Sequence, residues 1–173
     1  MPIAQSLLAE FEAQAPLTRR FLERLPEDKL TWKPHAKSLT AGQLAWHIAQ
    51  TPAGVLELAC TNPCKTDGPP GFPAPVDLAE VLAKHDENVA AVRHLLPTFD
   101  DAAMNEIWSI EIAGRQVMAV PRVDFLRNVM FSHWYQHRGQ LSVYLRLLDI
   151  PVPATWGPSA DEMPAFIREL QHA

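Results

Sequence analysis

Apolar residues recur at steps of three and four along four stretches of the chain, and prolines stand between these stretches. This spacing places the apolar side chains on one face of an α-helix. The chain holds 16 prolines against 7 glycines, and a proline interrupts a helix because it lacks an N–H and crowds the preceding turn. Four amphipathic helices with one apolar stripe each predict an all-α fold, a four-helix bundle. The stripes cover residues 3–25, 44–58, 78–96 and 126–148.

The residues beside the stripes predict where two of the helices begin. Thr40 with Gln43 matches a capping box, in which each side chain satisfies a backbone N–H of the other residue. Asp77 with Glu80 repeats the pattern before the third stripe. Residues 61–76, which separate these two helices, are rich in proline and predict a loop.

Two shorter elements are expected outside the bundle. Residues 107–120 hold two β-prone runs around a turn, which predicts a small β-hairpin inserted before the last long helix. Pro121 then suits the first turn of that helix. Ser159 with Glu162 can cap a short C-terminal helix over residues 160–170.

The composition is that of one folded domain spanning residues 1–173. Hydrophobic residues make up 47% and charged residues 20% of the chain, which argues against disorder. A formal net charge of −5 offers no basic surface to a nucleic acid or an anionic membrane, so we expect neither as a partner. No signal-like start and no apolar run of about 20 residues is visible, which predicts a cytoplasmic protein. There Cys60 and Cys64 are expected to be reduced, although they are close enough in sequence to pair.

Three histidines on two of the stripes suggest a metal site. His133 and His137 lie one turn apart on the same face of a helix, and two imidazoles in this arrangement can hold one ion. His47 lies on the inward stripe of the second helix, which can meet the last helix in a bundle. Three neutral imidazoles leave coordination positions for water or substrate, as in catalytic zinc sites. Nickel, iron and other divalent ions also accept imidazole, so ligand type alone does not select the metal.

A simpler interpretation of the same pattern is a set of core residues. A histidine on an apolar face is most often a hydrogen-bonded core residue, and the H-x-x-x-H spacing often arises by chance. His85 also lies on an apolar stripe, and we expect a core residue there, with a fourth metal ligand as the alternative. Trp46 and Trp134 neighbour the candidate ligands and belong either to a pocket or to the core.

The segment that begins at the histidine pair resembles the last bundle helix and tail of the DinB-like family of metalloenzymes, also called damage-inducible or YfiT-like. The resemblance rests on H-x-x-x-H-R-G-Q-L at residues 133–141, a Pro-x-Pro at residues 151–153 and G-P-S-A-D-E at residues 157–162. The upstream L-A-W-H-I-A at residues 44–49 resembles the first histidine helix of the family. With the order of the helices, the resemblance covers essentially the whole chain.

The resemblance implies a four-helix bundle with a divalent metal, zinc or nickel, on three histidines, which by motif position are His47, His133 and His137. It also implies a homodimer, because family members often form dimers. It implies a small-molecule substrate, because relatives include bacillithiol- or mycothiol-dependent transferases and a thiol-dependent maleylpyruvate isomerase. The expected function is a metal-dependent enzyme, either a transferase that uses a low-molecular-weight thiol or a hydrolase. The alternative is a non-catalytic stress protein that binds a metal or a small ligand as a dimer. Arg138 and Gln140 are interpreted as structural or supporting residues.

Overall fold

The computed structural model of the chain describes residues 1–68, 71–164 and 167, and these residues are mostly helical with a small three-stranded sheet. The helices are α1 (Ile3–Glu23), α2 (Ala41–Ala59), α3 (Leu78–Leu95), α4 (Asp101–Asn105), α5 (Arg122–Phe125) and α6 (His133–Leu147). The strands are β1 (Cys64–Thr66), β2 (Ile107–Ile112) and β3 (Arg115–Pro121). Two 3-10 turns (Glu27–Lys29 and Leu96–Thr98) and a π-helical segment (Leu126–Ser132) complete the described elements.

The predicted apolar stripes are the buried faces of the long helices. α2 packs against α3 and α6, and α1 packs against α3. The stripes therefore meet in one hydrophobic core, in which Leu7 of α1, Ile48 of α2 and Val81 of α3 are fully buried. Pro16 lies inside α1 on its solvent-facing side and does not divide the helix.

The capping box before α2 is confirmed, and the one before α3 is confirmed in part. The hydroxyl of Thr40 accepts the N–H of Gln43 at 3.1 Å, and the Gln43 side-chain oxygen accepts the N–H of Thr40 at 3.0 Å. The Asp77 carboxylate accepts the N–H of Glu80 at 2.7 Å. The Glu80 carboxylate accepts the N–H of Val76 instead of that of Asp77, so the box is not reciprocal. Both helices therefore begin where the sequence predicts.

The sheet corrects the all-α prediction. The hairpin of β2 and β3 is confirmed, with residues 107–112 antiparallel to residues 115–121. β1, inside the predicted loop 61–76, adds a parallel strand beside β2. Asn62 holds it there, because its amide nitrogen donates to the Ile107 carbonyl at 2.9 Å and its amide oxygen accepts the Ser109 N–H at 3.1 Å. A three-residue strand among prolines carries no periodic signal, so the sequence did not reveal it.

The last long helix is continuous through α5, the π-helical segment and α6. Pro121 ends β3 and stands just before this helix rather than within its first turn. The buried guanidinium of Arg122 donates to the Ala59 carbonyl at 3.0 Å and to the Glu106 carboxylate at 2.9 Å. Arg122 thereby joins the end of α2, the start of the hairpin and the start of the last helix.

The described part of the predicted C-terminal helix is helical at Ile167 and not over residues 160–164. Residues 160–164 form bends and irregular backbone, and residues 165–170 lie outside the described residues apart from Ile167. The Ser159 hydroxyl still accepts the N–H of Glu162 at 2.9 Å, as a cap would. Arg146 and Arg24 pair with Asp161 and Glu162, which fastens this segment to α6 and α1. Among the helices of the described residues, none combines the length and the apolar character needed to cross a membrane.

Candidate metal centre

His47, His133 and His137 come together between α2 and α6, as the sequence predicts. The Nε2 atom of His133 lies 2.9 Å from Nε2 of His47 and 2.9 Å from Nε2 of His137. The three ligand atoms all lie within 4.8 Å of one another. His47 is buried in the inner face of α2, and the other two are half-buried on α6. Two helices therefore present three imidazole nitrogens to one point.

The π-helical segment immediately before His133 sets the angle at which α6 presents its pair. The N–H of His133 bonds to the carbonyl of Asn128, five residues back, and the Ser132 hydroxyl donates to the carbonyl of Arg127 at 3.0 Å. One wide turn rotates everything after it relative to an ordinary α-helix, and such turns are frequent at functional sites. Sequence reasoning missed this feature, because the apolar stripe through residues 126–148 reads as an unbroken helix.

The chemistry of the donor set fits a divalent cation. A ring nitrogen of a neutral imidazole makes one hydrogen bond, either as donor or as acceptor. Nε2 of His133 has two close nitrogen neighbours, so hydrogen bonding alone satisfies at most one of these contacts. A cation among the three lone pairs satisfies all three nitrogens. Nitrogens bound to one zinc ion at 2.0–2.1 Å are separated by about 3.3 Å in a tetrahedral site, close to the 2.9 Å observed.

Gln140 fixes the ring of His137. The side-chain oxygen of Gln140 lies 2.7 Å from Nδ1 of His137. Because an amide oxygen only accepts, Nδ1 carries the proton and the lone pair is left on Nε2, which faces the other two rings. Gln140, interpreted from the sequence as a supporting residue, thus holds His137 in the tautomer that a metal ligand needs.

Burial keeps His47 and His133 neutral. Removal from water, and then the neighbouring His137 and His133 rings, lower the pKa of His47 to about 4. The pKa of His133 is also lowered, first by burial and then by His137. His47 and His133 therefore offer lone pairs rather than positive charge at neutral pH, which is the form in which imidazole binds metals.

Phe72, in the proline-rich loop, packs against the cluster and was not singled out from the sequence. Its ring meets that of His47 edge-on, with centroids 5.0 Å apart. The side-chain nitrogen of Gln43 donates to the Phe72 carbonyl at 3.0 Å, which ties the loop to the start of α2. Packing rather than a hydrogen bond orients His47, because its buried Nδ1 has no partner among the described residues. No motif in the proline-rich loop could have indicated this contact.

Other candidates lie apart from the cluster. His85 is buried in α3 and does not join the three histidines, and within the described residues no fourth histidine, cysteine or carboxylate does so. Trp134 is a core residue whose ring stacks on Phe11 and whose N–H donates to the Ile48 carbonyl at 3.0 Å. Cys60 and Cys64 are unpaired, and burial raises the pKa of both thiols, so neither resembles an activated nucleophile.

The comparisons with known proteins agree with this geometry. A family model described as the DinB superfamily matches residues 10–141. The uncharacterised protein YrdA of Bacillus subtilis (strain 168) is 28% identical over 161 residues, which cover 91% of this chain and 89% of YrdA.

Two crystal structures show the same fold. A DinB-like protein from Bacillus cereus ATCC 10987 superposes with a TM-score of 0.69 at 21% identity, over 88% of this chain and 97% of that one. The DinB-like protein YjoA from Bacillus subtilis gives 0.61 at 21% identity, over 87% and 96%. The chain belongs to the DinB superfamily.

Proposed function

We propose that the protein is a metal-dependent enzyme that holds a divalent ion, zinc or nickel, on His47, His133 and His137. In this proposal α1, α2, α3 and the last long helix form the four-helix bundle that carries the site. The observation that supports it most is the position of the His133 Nε2 atom, 2.9 Å from both other Nε2 atoms. Three protein ligands with no fourth among the described residues leave a position for a small molecule.

The proposed reaction is transfer to or from a low-molecular-weight thiol, or hydrolysis. A divalent ion with an open position lowers the pKa of a bound thiol or water and so supplies a nucleophile at neutral pH. The three imidazoles hold their lone pairs inward, and Gln140 prevents His137 from turning. The ring of Phe72 packs edge-on against His47. A non-catalytic stress protein that binds a metal or a small ligand is the alternative, and the homodimer and the cytoplasmic location stay predictions.

Cobalt substitution tests the proposal and separates the two reactions. We would load the purified protein with Co²⁺ and record its absorption while adding 2-mercaptoethanol, with ethylene glycol as the matched probe without sulfur. A thiolate bound to cobalt produces a charge-transfer band that an alcohol does not. The variants are His137→Ala and, as a control, His94→Ala, because His94 is an exposed histidine at the end of α3.

The thiol-dependent proposal predicts the band in the parent and in His94→Ala, and its loss in His137→Ala. Cobalt binding without the band would contradict a thiol-dependent transferase and favour hydrolysis, which para-nitrophenyl acetate would then test. Failure of the parent to bind cobalt would contradict the metalloenzyme altogether.

A further inference from the structure

Within the described part of the chain, Arg138 is a half-buried cation without an anionic partner. Its guanidinium donates to the hydroxyl of Thr18 at 3.1 Å and lies 5.2 Å from the ring centre of Tyr135. No carboxylate of the described residues pairs with it. The other arginines that are buried or half-buried in the described part, Arg19, Arg20 and Arg122, each pair with a carboxylate. A desolvated charge is costly unless it is paired, so Arg138 lacks the counter-ion that its surroundings call for.

A cavity of about 210 Å³ opens beside this guanidinium. Phe21 and Tyr135 form aromatic walls, and Ser142 and Thr155 bring hydroxyl groups. A side chain added at Gly139 would meet no heavy atom within 4 Å of its Cβ, so the glycine keeps this side of α6 open. The volume equals that of roughly seven waters at about 30 Å³ each, which is room for a small organic ion and not for a cofactor.

The cavity is separate from the histidine cluster. At about 100° of rotation per residue, Tyr135, Arg138 and Ser142 lie on the flank of α6 opposite to His133 and His137. Its walls come from α1, α6 and the segment after α6. A molecule bound there would therefore touch none of the three candidate ligands.

The charges around the cavity favour an anion. Among the described residues, Arg20 of α1 and Arg24 just after it share the carboxylate of Glu162, so two cations pair with one acid there. Glu10 lies on the other side of Tyr135, but it accepts the Tyr135 hydroxyl at 2.8 Å.

We propose that Arg138, Thr155 and the aromatic walls of this cavity bind a small organic carboxylate, with the guanidinium paired to the carboxylate and the apolar body between Phe21 and Tyr135. A planar guanidinium matches a carboxylate through two parallel hydrogen bonds. One unpaired cation suits a monoanion better than a doubly charged phosphate. The aromatic walls suit an aryl or short alkyl group.

The test is the binding of para-fluorobenzoate, followed by fluorine NMR at fixed ionic strength, with para-fluorobenzamide as the neutral analogue. Arg138→Gln removes the charge, and Gly139→Leu fills the cavity while keeping the arginine. Gly54→Leu is the matched control for the second change, because Gly54 is an exposed helical glycine with equally open space. Arg115→Gln, in the exposed hairpin, is the control for the first. Circular dichroism checks that each variant folds.

The proposal predicts millimolar or tighter binding of the benzoate by the parent, and weakening by about tenfold or more in both Arg138→Gln and Gly139→Leu. The two controls and His47→Ala should bind as the parent does, and the amide should not bind. No binding at millimolar concentration would overturn the proposal. Binding that is lost in His47→Ala and kept in Gly139→Leu would also overturn it, because the carboxylate would then sit at the histidine cluster. Since His47→Ala keeps the cavity intact, failure here is distinguishable from failure of the metal site.

Discussion

Two buried histidine environments lie in the described part of the molecule, and only one of them is suited to bind a metal. His47 and His85 lie on the apolar stripes of adjacent helices and are 9% and 4% exposed. Around His47, two further imidazoles converge across a helix interface. Around His85, neither ring nitrogen has a hydrogen-bond partner among the described residues, and the Asp86 carboxylate lies 3.5 Å from Nδ1. Burial on a stripe therefore does not make a site, whereas convergence of several lone pairs does.

Removal of the central imidazole, that of His133, should have the largest effect on metal binding. His133 is the histidine that both others approach at 2.9 Å, so His133→Ala leaves two imidazoles with no common neighbour. We expect zinc affinity to fall by more than the roughly 10–100-fold that loss of an outer hydrogen bond costs. Competition with a chromophoric chelator measures this, with His94→Ala as the control. Equal affinities in the two variants would show that the cluster is not the binding site.

Loss of the hydrogen bond that orients His137 should have the next largest effect. Gln140→Leu removes the acceptor at Nδ1 of His137 and leaves all three imidazoles in place. Zinc affinity should fall by about 10–100-fold. Gln136→Leu, an exposed change on the same helix, should bind zinc as the parent does. The same chelator competition decides, and a Gln140→Leu protein with parental affinity would contradict the role of Gln140.

The second environment should show itself as acid sensitivity. Burial lowers the pKa of His85 from its ordinary 6.5, with Asp86 opposing the shift and Arg19 of α1 adding to it. Below pH 6.5 the unfolded chain takes up a proton at this site before the folded chain does, so the stability of the parent falls as the pH falls.

His85→Leu should remove this contribution. As the pH falls below 6.5, the free energy of unfolding of the parent should decrease relative to that of His85→Leu, by up to about 1.4 kcal/mol per pH unit. Urea titrations of both proteins, metal-free, at pH 7.5 and 5.5 measure it, because the other histidines cancel in the difference. A difference that stays constant with pH would disprove the assignment of His85 as a buried neutral residue.

The helix caps provide the smallest contrast. Thr40 caps α2, which carries His47, and Asp77 caps α3, which carries His85. Thr40→Ala and Asp77→Ala should each cost about 1 kcal/mol of stability. Only Thr40→Ala should also weaken zinc binding, by less than tenfold, because it loosens the end of the helix that holds a ligand. Thermal unfolding measures the stability of each variant, and chelator competition measures its zinc affinity. Equal zinc affinities in the two variants would show that the cap of α2 does not affect metal binding.

Much of the fold and of the cluster was predictable, since periodic patterns encode both. The stripes located the long helices, Thr40 with Gln43 marked the start of α2, and the four-residue spacing placed His133 and His137 on one face. The convergence of His47 with this pair was expected because the inward stripe of the second helix can meet the last helix in a bundle, and the family resemblance pointed to the same three residues. The remainder depends on contacts between distant residues.

The features that sequence reasoning missed have no local periodic signature. β1 is held by two hydrogen bonds from Asn62 to a strand far along the chain. The π-helical turn before His133 is a hydrogen-bond pattern that the apolar stripe does not reveal, and the contact of Phe72 with His47 joins two separate segments. The hydrogen bond of Gln140 to His137 could be placed by its spacing of three residues, but its tautomeric role required the distance.

Metal content tests the central claim most directly. The protein would be purified without a histidine tag, incubated with zinc, nickel and manganese in turn, and analysed for bound metal beside His47→Ala and His85→Ala. The account predicts about one ion per chain in the parent and in His85→Ala, and none in His47→Ala. A parent that retains no ion, or a His47→Ala protein that retains it as firmly as the parent, would contradict the claim that the three converging histidines bind a metal.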